Sequence, residues 1–488
     1  MLNRPGRALP RTHPLRRAPA FTLLAACAAL LAACASAPTP SPGGDAAAAC
    51  RATFAAVDAR VARAGARDGI DAPLAGFPFL RADRLLASLS GAAGQSPDAR
   101  RTWLGHLAAR DATGRAAELR VLEADAARRR ALEQALDACR PLLVEETVRD
   151  DRAFAAAVKA ARVPEDYLSS RRALGLYPLA ARLALRGIAR LHASESPVAG
   201  GADADGRVYA LPTDGVRDRA ALAAAVAAAP RDALDFPELP RELLDALFAA
   251  HAPAWVVGQE SGADAIGRVT RTSGGPRVDP EAPTVYRYLS HTRFEGRLLP
   301  QLNYVVWFAA RPKSGPLDLL GGPLDGLTWR VTLDLDGAPL VYDSMHNCGC
   351  YHQWYPTPRL VRHGNTGGAE PPWVPLVVEG SGPPAVGLAA GSHYVRSVGP
   401  APQRVDATLT LLDYDVLRAL PGDDGRTRSL FGSDGLVHGS ERLERFTFWP
   451  FGIRSAGAMR SRGHQPTAFV GRRHFDEAGL VERYFGRR

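Results

Sequence analysis

The segment His346-Asn347-Cys348-Gly349-Cys350-Tyr351-His352 places four side chains with metal-binding or redox capacity at alternate positions. Imidazole and thiolate are the usual ligands of zinc. On a straight strand the two histidines would stand about 20 Å apart at roughly 3.4 Å per residue. One ion could take both only if the chain folds back at Gly349, where the missing Cβ permits a bend. A disulfide between Cys348 and Cys350 is the second reading. Extended i, i+2 Cα atoms are about 6.8 Å apart, at the limit of the bond's reach. So tight a ring would be redox-labile or a rigid support for the flanking histidines. The order of expectation is structural disulfide, then metal site, then redox catalysis. Haem attachment is excluded, because it needs two residues between the cysteines and here there is one.

A second patch is His291-Thr292-Arg293-Phe294-Glu295. On a strand, His291, Arg293 and Glu295 share a face. Histidine and glutamate suit an open, catalytic zinc site, and a surface Arg–Glu pair beside an incidental histidine is the plainer alternative. The expectation carried forward is that His291, His346 and His352 hold zinc, with Glu295 as the catalytic base, if sheet pairing brings the two patches together.

A third patch is basic. Residues 438–474 hold Arg442, Arg445, Arg460 and Arg472 among ten Arg and His side chains, with Glu441 and Glu444 the only acids. Arginine forks bind carboxylate and phosphate, so an anionic ligand is expected here; a solvated basic face is the alternative. Familiar catalytic signatures are missing. Gly432-Ser433-Asp434-Gly435 is one residue short of a nucleophile elbow, and neither His-Glu-x-x-His nor a phosphate loop occurs. Glu260 and Asp264, four apart, read as ordinary surface acids.

These residues need elements to position them. Residues 48–196 are rich in Ala, Leu and Arg, with apolar positions recurring at three and four, which predicts helices. Leu174–Leu191 is apolar enough for a buried or a surface apolar helix, and Arg182, Arg186 and Arg190 make one of its faces basic. Ser194–Gly206 is a break. Helices are predicted at Leu222–Ala229 and Leu239–His251. From about Thr284 the composition turns β-branched and aromatic, and six of the seven Trp lie beyond residue 250. Strands are predicted around Val285–Leu289, Leu302–Phe308, Trp329–Leu335 and Val405–Tyr414, and Asp336-Gly337 marks a hairpin. The fold class expected is α+β: a helical domain over 48–196, then a mixed, mainly antiparallel β-rich domain over 205–488.

The N-terminus has its own pattern. Arg4, Arg7, Arg11, Arg16 and Arg17 precede an apolar run, Phe21–Leu31, that ends in Leu31-Ala32-Ala33-Cys34. Export signals have this order of basic, apolar and small-residue regions. The run is about half the ~20 residues of a spanning helix. The closing cysteine resembles the lipobox of bacterial lipoproteins over the first 34 residues. Leu24-Ala25-Ala26-Cys27 matches too, but leaves too short an apolar region before it. The resemblance implies removal of residues 1–33, acylation (including palmitate) of Cys34, and a Pro-rich tether over 34–47. With Ala35 after the cysteine it implies an outer-membrane location, lipid-anchored.

Loss of residues 1–33 removes five Arg and no acid, so the net charge of +9 falls to +4. Nucleic acid is not an expected partner: no basic–aromatic module occurs. In an oxidising compartment the four cysteines beyond Cys34 are expected to pair as Cys50–Cys139 and Cys348–Cys350. Three functions stay open: a metal-dependent hydrolase of an anionic envelope substrate, a non-enzymatic docking or assembly lipoprotein, and a thiol–disulfide protein using Cys348 and Cys350.

Overall fold

The computed structural model describes residues 44–200, 205–212, 217–363, 369–380 and 382–488. The signal segment, Cys34 and most of the tether lie outside the described residues. Residues Cys50–Arg488 form one compact unit, with helices ahead of strand-rich mixed sheets, so the chain is α+β.

The helical part is built on α1 (Gly44–Ala64), α2 (Pro97–Leu122), α3 (Ala126–Arg149) and α4 (Asp151–Ala160). Ser96 caps α2 by accepting from Ala99 N, and Asp125 caps α3 by accepting from Arg128 N. Each satisfies one orphan donor of a first turn. The expected disulfide Cys50–Cys139 joins α1 to α3. On α2, Trp103, Leu104 and Leu107 are buried. The same helix buries Asp111 and Glu118, which pair with Arg81, Arg115 and Arg140 at 2.8–3.4 Å. Gly114 makes room for this cluster: a Cβ there would meet Arg81 Nη1 at 2.5 Å.

After α5 (Tyr177–Ser194), α6 (Arg219–Ala227) and α7 (Arg241–His251) come the strands of the main sheet. These are β1 (Thr284–Phe294), β2 (Arg297–Arg311), β3 (Gly322–Leu333), β4 (Pro339–His346), β5 (Gln353–Pro356) and β6 (Thr410–Asp413). Their spatial order is β5-β4-β3-β2-β1-β6, and only the β1–β6 pair is parallel. Asp336-Gly337 turns β3 into β4 as expected, with Gly337 at φ 75°. A second six-stranded sheet is assembled from short pieces such as Arg207–Ala210, Ala254–Val257 and Ala385–Leu388.

One face of the main sheet carries Leu302, Tyr304, Trp329, Val331 and Tyr342 against Leu247, Phe248 and Trp255. Tyr304 seals this core by donating to Phe248 O at 2.8 Å. The opposite face bears a buried polar stripe. Asn303 donates to Ser290 Oγ, Ser290 to Gln301 Oε1, and Gln301 to Thr332 Oγ1. The C-terminal tail meets this face where Arg330 donates to Phe475 O, and the helical part is tied to the tail by the Tyr167 hydroxyl, which lies 2.8 Å from Arg473 O and 2.9 Å from Ala468 O. Among the described residues no helix is long and apolar enough to cross a membrane.

Candidate functional site

The sequence-predicted zinc set does not assemble. His291 pairs with Pro300 on β2, whereas His346 pairs with Leu327 on β3, which pairs with Val306 on β2. His346 thus stands three strands across and six residues along from His291, on the order of 20 Å at the spacings of a sheet. His291 instead sits edge-on to Phe236, beside Arg110. Burial lowers its pKa to about 3. Glu295 occupies the turn between β1 and β2 at φ 51°, exposed, and accepts from Arg487.

His346 and His352 are also separated. His352 Nε2 lies 2.9 Å from Asp343 Oδ2, and Asp343 is gripped by both prongs of Arg330. His346 Nδ1 lies 3.6 Å from Asp325 Oδ1. Asp343 pairs with Arg330 across the sheet. Asp325 and Arg330 are five residues apart on β3, so they point to opposite faces. The two histidines therefore engage opposite sides of the sheet. Among the described residues no group of three or more His, Cys, Asp or Glu is placed to hold a metal ion.

The two cysteines of the motif are free thiols, and the expected Cys348–Cys350 disulfide is not formed. Gly349 turns the chain at φ 96°, and Cys350 N donates to Cys348 Sγ at 3.4 Å. The neighbouring Cys348, together with burial, pushes the Cys350 thiol well above its usual pKa. A reactive or redox-active cysteine needs the reverse shift.

The four arginines expected to bind an anion do not converge. Arg442 is buried and donates to Pro323 O and Leu324 O. Arg460 is buried and donates to the carbonyls of Arg454 and Ser455. Arg445 lies over the Phe446 ring, and Arg472 donates to Ser169 Oγ. Arg442 and Arg460 thus donate to backbone carbonyls inside the fold, while Arg445 and Arg472 are exposed.

The structure does bring together a cavity of about 530 Å³ between α5 and the motif. Helix α5 begins after Leu176, which adopts the left-handed conformation at φ 48°, and carries Pro178 in its first turn. Its Ala, Leu and Arg are strong helix formers. Ala180, Ala184, Gly187, Ile188 and Leu191 recur at helical spacing and line the cavity. Three of these five are Ala or Gly, so the helix leaves space instead of filling it. Only Ala181 of the 18 residues is buried. The facing wall is aromatic: Phe448 and Phe451 contact Phe469 at ring distances of 5.0 and 5.2 Å. At the helix C-terminal end Trp373 stacks on His192 at 4.4 Å.

The floor of the cavity is polar. It includes Cys350, Tyr351, His352, Glu370, Glu444 and Arg473. His352 has no partner for Nδ1. Burial, partly offset by Asp343, lowers its pKa to about 4, so the ring is neutral at pH 7. Burial pushes Glu444 up to about 7 against the pull of Arg442 and Arg311.

Behind this wall runs a buried chain of acids and histidines that sequence spacing did not reveal. His393, at φ 54°, has Nδ1 2.8 Å from Asp325 Oδ2 and Nε2 3.3 Å from Asp264 Oδ1. Burial opposes charge on His393; Asp264 and Asp325 outweigh it and raise the pKa. Asp264 is fully buried and accepts from Glu260 N, Ser261 N and Gly391 N. It is no surface acid. His346 touches both Tyr351 and Tyr394, two rings of the cavity wall.

No family model, curated protein or solved structure matches this chain.

Proposed function

We propose that this chain is a lipid-anchored protein of the bacterial envelope that holds an amphipathic ligand in the cavity beneath α5. The observation that carries the reading is the roughly 530 Å³ cavity itself. Ligand sites are concave, mostly apolar and furnished with a few polar groups, at about 300–1,000 Å³. Here apolar helix and aromatic walls suit a hydrocarbon or aromatic body. Neutral His352, the Tyr351 phenol and Glu444 on the floor suit a polar head. The anchor rests on the lipobox-like Leu31-Ala32-Ala33-Cys34. The binding role belongs with the non-enzymatic alternative drawn from the sequence, since neither a zinc set nor an activated thiol supports the other two.

A second reading is favoured by one observation. His352 is oriented by Asp343 through one ring nitrogen while the other has no partner. That is the arrangement of a general base held in one tautomer. On this reading the bound molecule is hydrolysed at its polar head.

The test is titration of the protein with cis-parinaric acid, followed by fluorescence. Saturable one-to-one binding, with no product formed on prolonged incubation with acyl esters, supports the binding reading. Turnover abolished by His352→Asn supports the second. Absence of saturable binding counts against both.

A further inference from the structure

Most of the exposed large apolar side chains gather in one region. Of fourteen among the described residues eight lie there, and the other six are Leu142 and five valines. Leu174, Leu176, Leu179 and Leu183 are 60–78% exposed along the start of α5 and the turn before it. Phe446 and Trp449 join them, because Gly175 packs so closely on Pro450 that a Cβ there would meet it at 2.5 Å. Leu317 and Leu319 extend the patch, since Glu444 N donates to Leu319 O. A single exposed leucine needs no account, whereas a contiguous patch marks an interaction site.

On α5 the charge beside the patch is of one sign, while Asp318 stands between Leu317 and Leu319 at the patch's edge. Arg182, Arg186 and Arg190 are exposed on α5, and the helix contains no Asp or Glu. At about 100° per residue these arginines share the outer face of α5 with Leu179 and Leu183, and such a mixed apolar and cationic surface suits the interface of a bilayer, with the arginine stems lying along apolar groups and their heads at anionic lipid. Leu183 is both exposed and part of the cavity lining, so the patch runs into the cavity rim.

We infer that α5 and the Phe446–Trp449 segment dock on an anionic phospholipid surface, so that the cavity opens toward the membrane and receives its ligand from it. The second half of this statement rests on the cavity reading above; the docking does not.

Hydrogen exchange tests it, with the full chain reconstituted in vesicles of phosphatidylglycerol or of phosphatidylcholine alone. Docking predicts that amides of residues 174–194 and 443–449 exchange about tenfold more slowly on phosphatidylglycerol. The variant Arg182→Gln, Arg186→Gln, Arg190→Gln should remove the difference. The variant Leu174→Ser, Leu179→Ser, Phe446→Ser, none of whose positions lines the cavity, should lose the protection and still bind cis-parinaric acid. Equal exchange on both lipids would overturn the docking. Protection that rises with protein concentration in the absence of vesicles would also overturn it, in favour of a second copy of the chain. Loss of cis-parinaric acid binding by the parent chain, with lipid-dependent protection retained, would strike the cavity reading alone.

Discussion

Arg418 and Asp68, 350 residues apart, meet in a two-pronged ion pair at 2.8 and 3.0 Å inside the protein. The arginine side chain is wholly buried, and a further prong reaches Asp71 at 3.2 Å. The contact fastens the helical part to the strand-rich part and explains why the two fold as one unit. Removing one member of a buried pair leaves an uncompensated charge, which costs about 3–5 kcal/mol. Arg418→Met should therefore lower the stability of the whole body by that order in urea unfolding, in one cooperative transition. A variant with the parent's midpoint, or one that melts in two steps, would show that the clamp does not couple the parts.

Histidine burial sets the acid side of the stability curve. Burial lowers His251 and His352 to about 4 and His291 to about 3. Their unfolded pKa is near 6.5, so below that pH the unfolded chain takes up protons that the folded chain refuses. Stability is full above about 6.5 and declines as pH falls toward 4, by up to about 1.4 kcal/mol per group and pH unit. His393 and His474 are raised and act the other way. The net expectation is a urea midpoint lower at pH 5 than at pH 7.5, with the slope reduced in His251→Phe. A flat profile across this range would contradict it.

Glu444 gives a signal of opposite sign. Its pKa rises from the usual carboxyl range to about 7 in the folded state. The folded chain therefore holds a proton that the unfolded chain has lost, and this contribution is present below about 4.5 and disappears as pH rises through 7. Glu444→Gln keeps the shape without the charge. It should match the parent at pH 5 and exceed it at pH 8 by up to about 3 kcal/mol. Equal stability of the two proteins at pH 8 would show that the carboxyl is solvated and ionised.

What could be read from the sequence was what local pattern encodes. The Asp336-Gly337 hairpin, helices at Arg219–Ala227 and Arg241–His251, and the pairing of Cys50 with Cys139 all follow from turn chemistry, periodicity or cysteine counting. Val405–Tyr414 read as one strand and is two short ones, Ala407–Thr408 and Thr410–Asp413, in different sheets. The site was half legible. The motif 346–352 does reach the cavity, but alternate spacing could not show that His346 and His352 turn to different carboxylates on opposite faces. The aromatics interleaved with the arginines of the tail hint that some are buried, as Arg442 and Arg460 are, but sequence does not reveal which backbone carbonyls they satisfy. His393 carried no signal at all: its partners Asp264 and Asp325 come from distant segments. Helix α5 was anticipated as apolar with a basic face, yet the void beneath it depends on Ala180, Ala184 and Gly187 facing aromatic rings from the last tenth of the chain.

Gly187 gives the most direct test of the central claim. A Cβ at this position meets nothing within 4 Å, and the residue lines the cavity. In Gly187→Leu the side chain would enter the space proposed for the ligand, while replacing a helical glycine should stabilise α5 by about 0.5–1 kcal/mol. Parent and variant should be titrated with cis-parinaric acid after thermal unfolding has confirmed that the variant is at least as stable. The parent should bind saturably, and the more stable variant should lose about tenfold or more in affinity, some 1.4 kcal/mol. Equal binding by both proteins would place the ligand elsewhere and contradict the account.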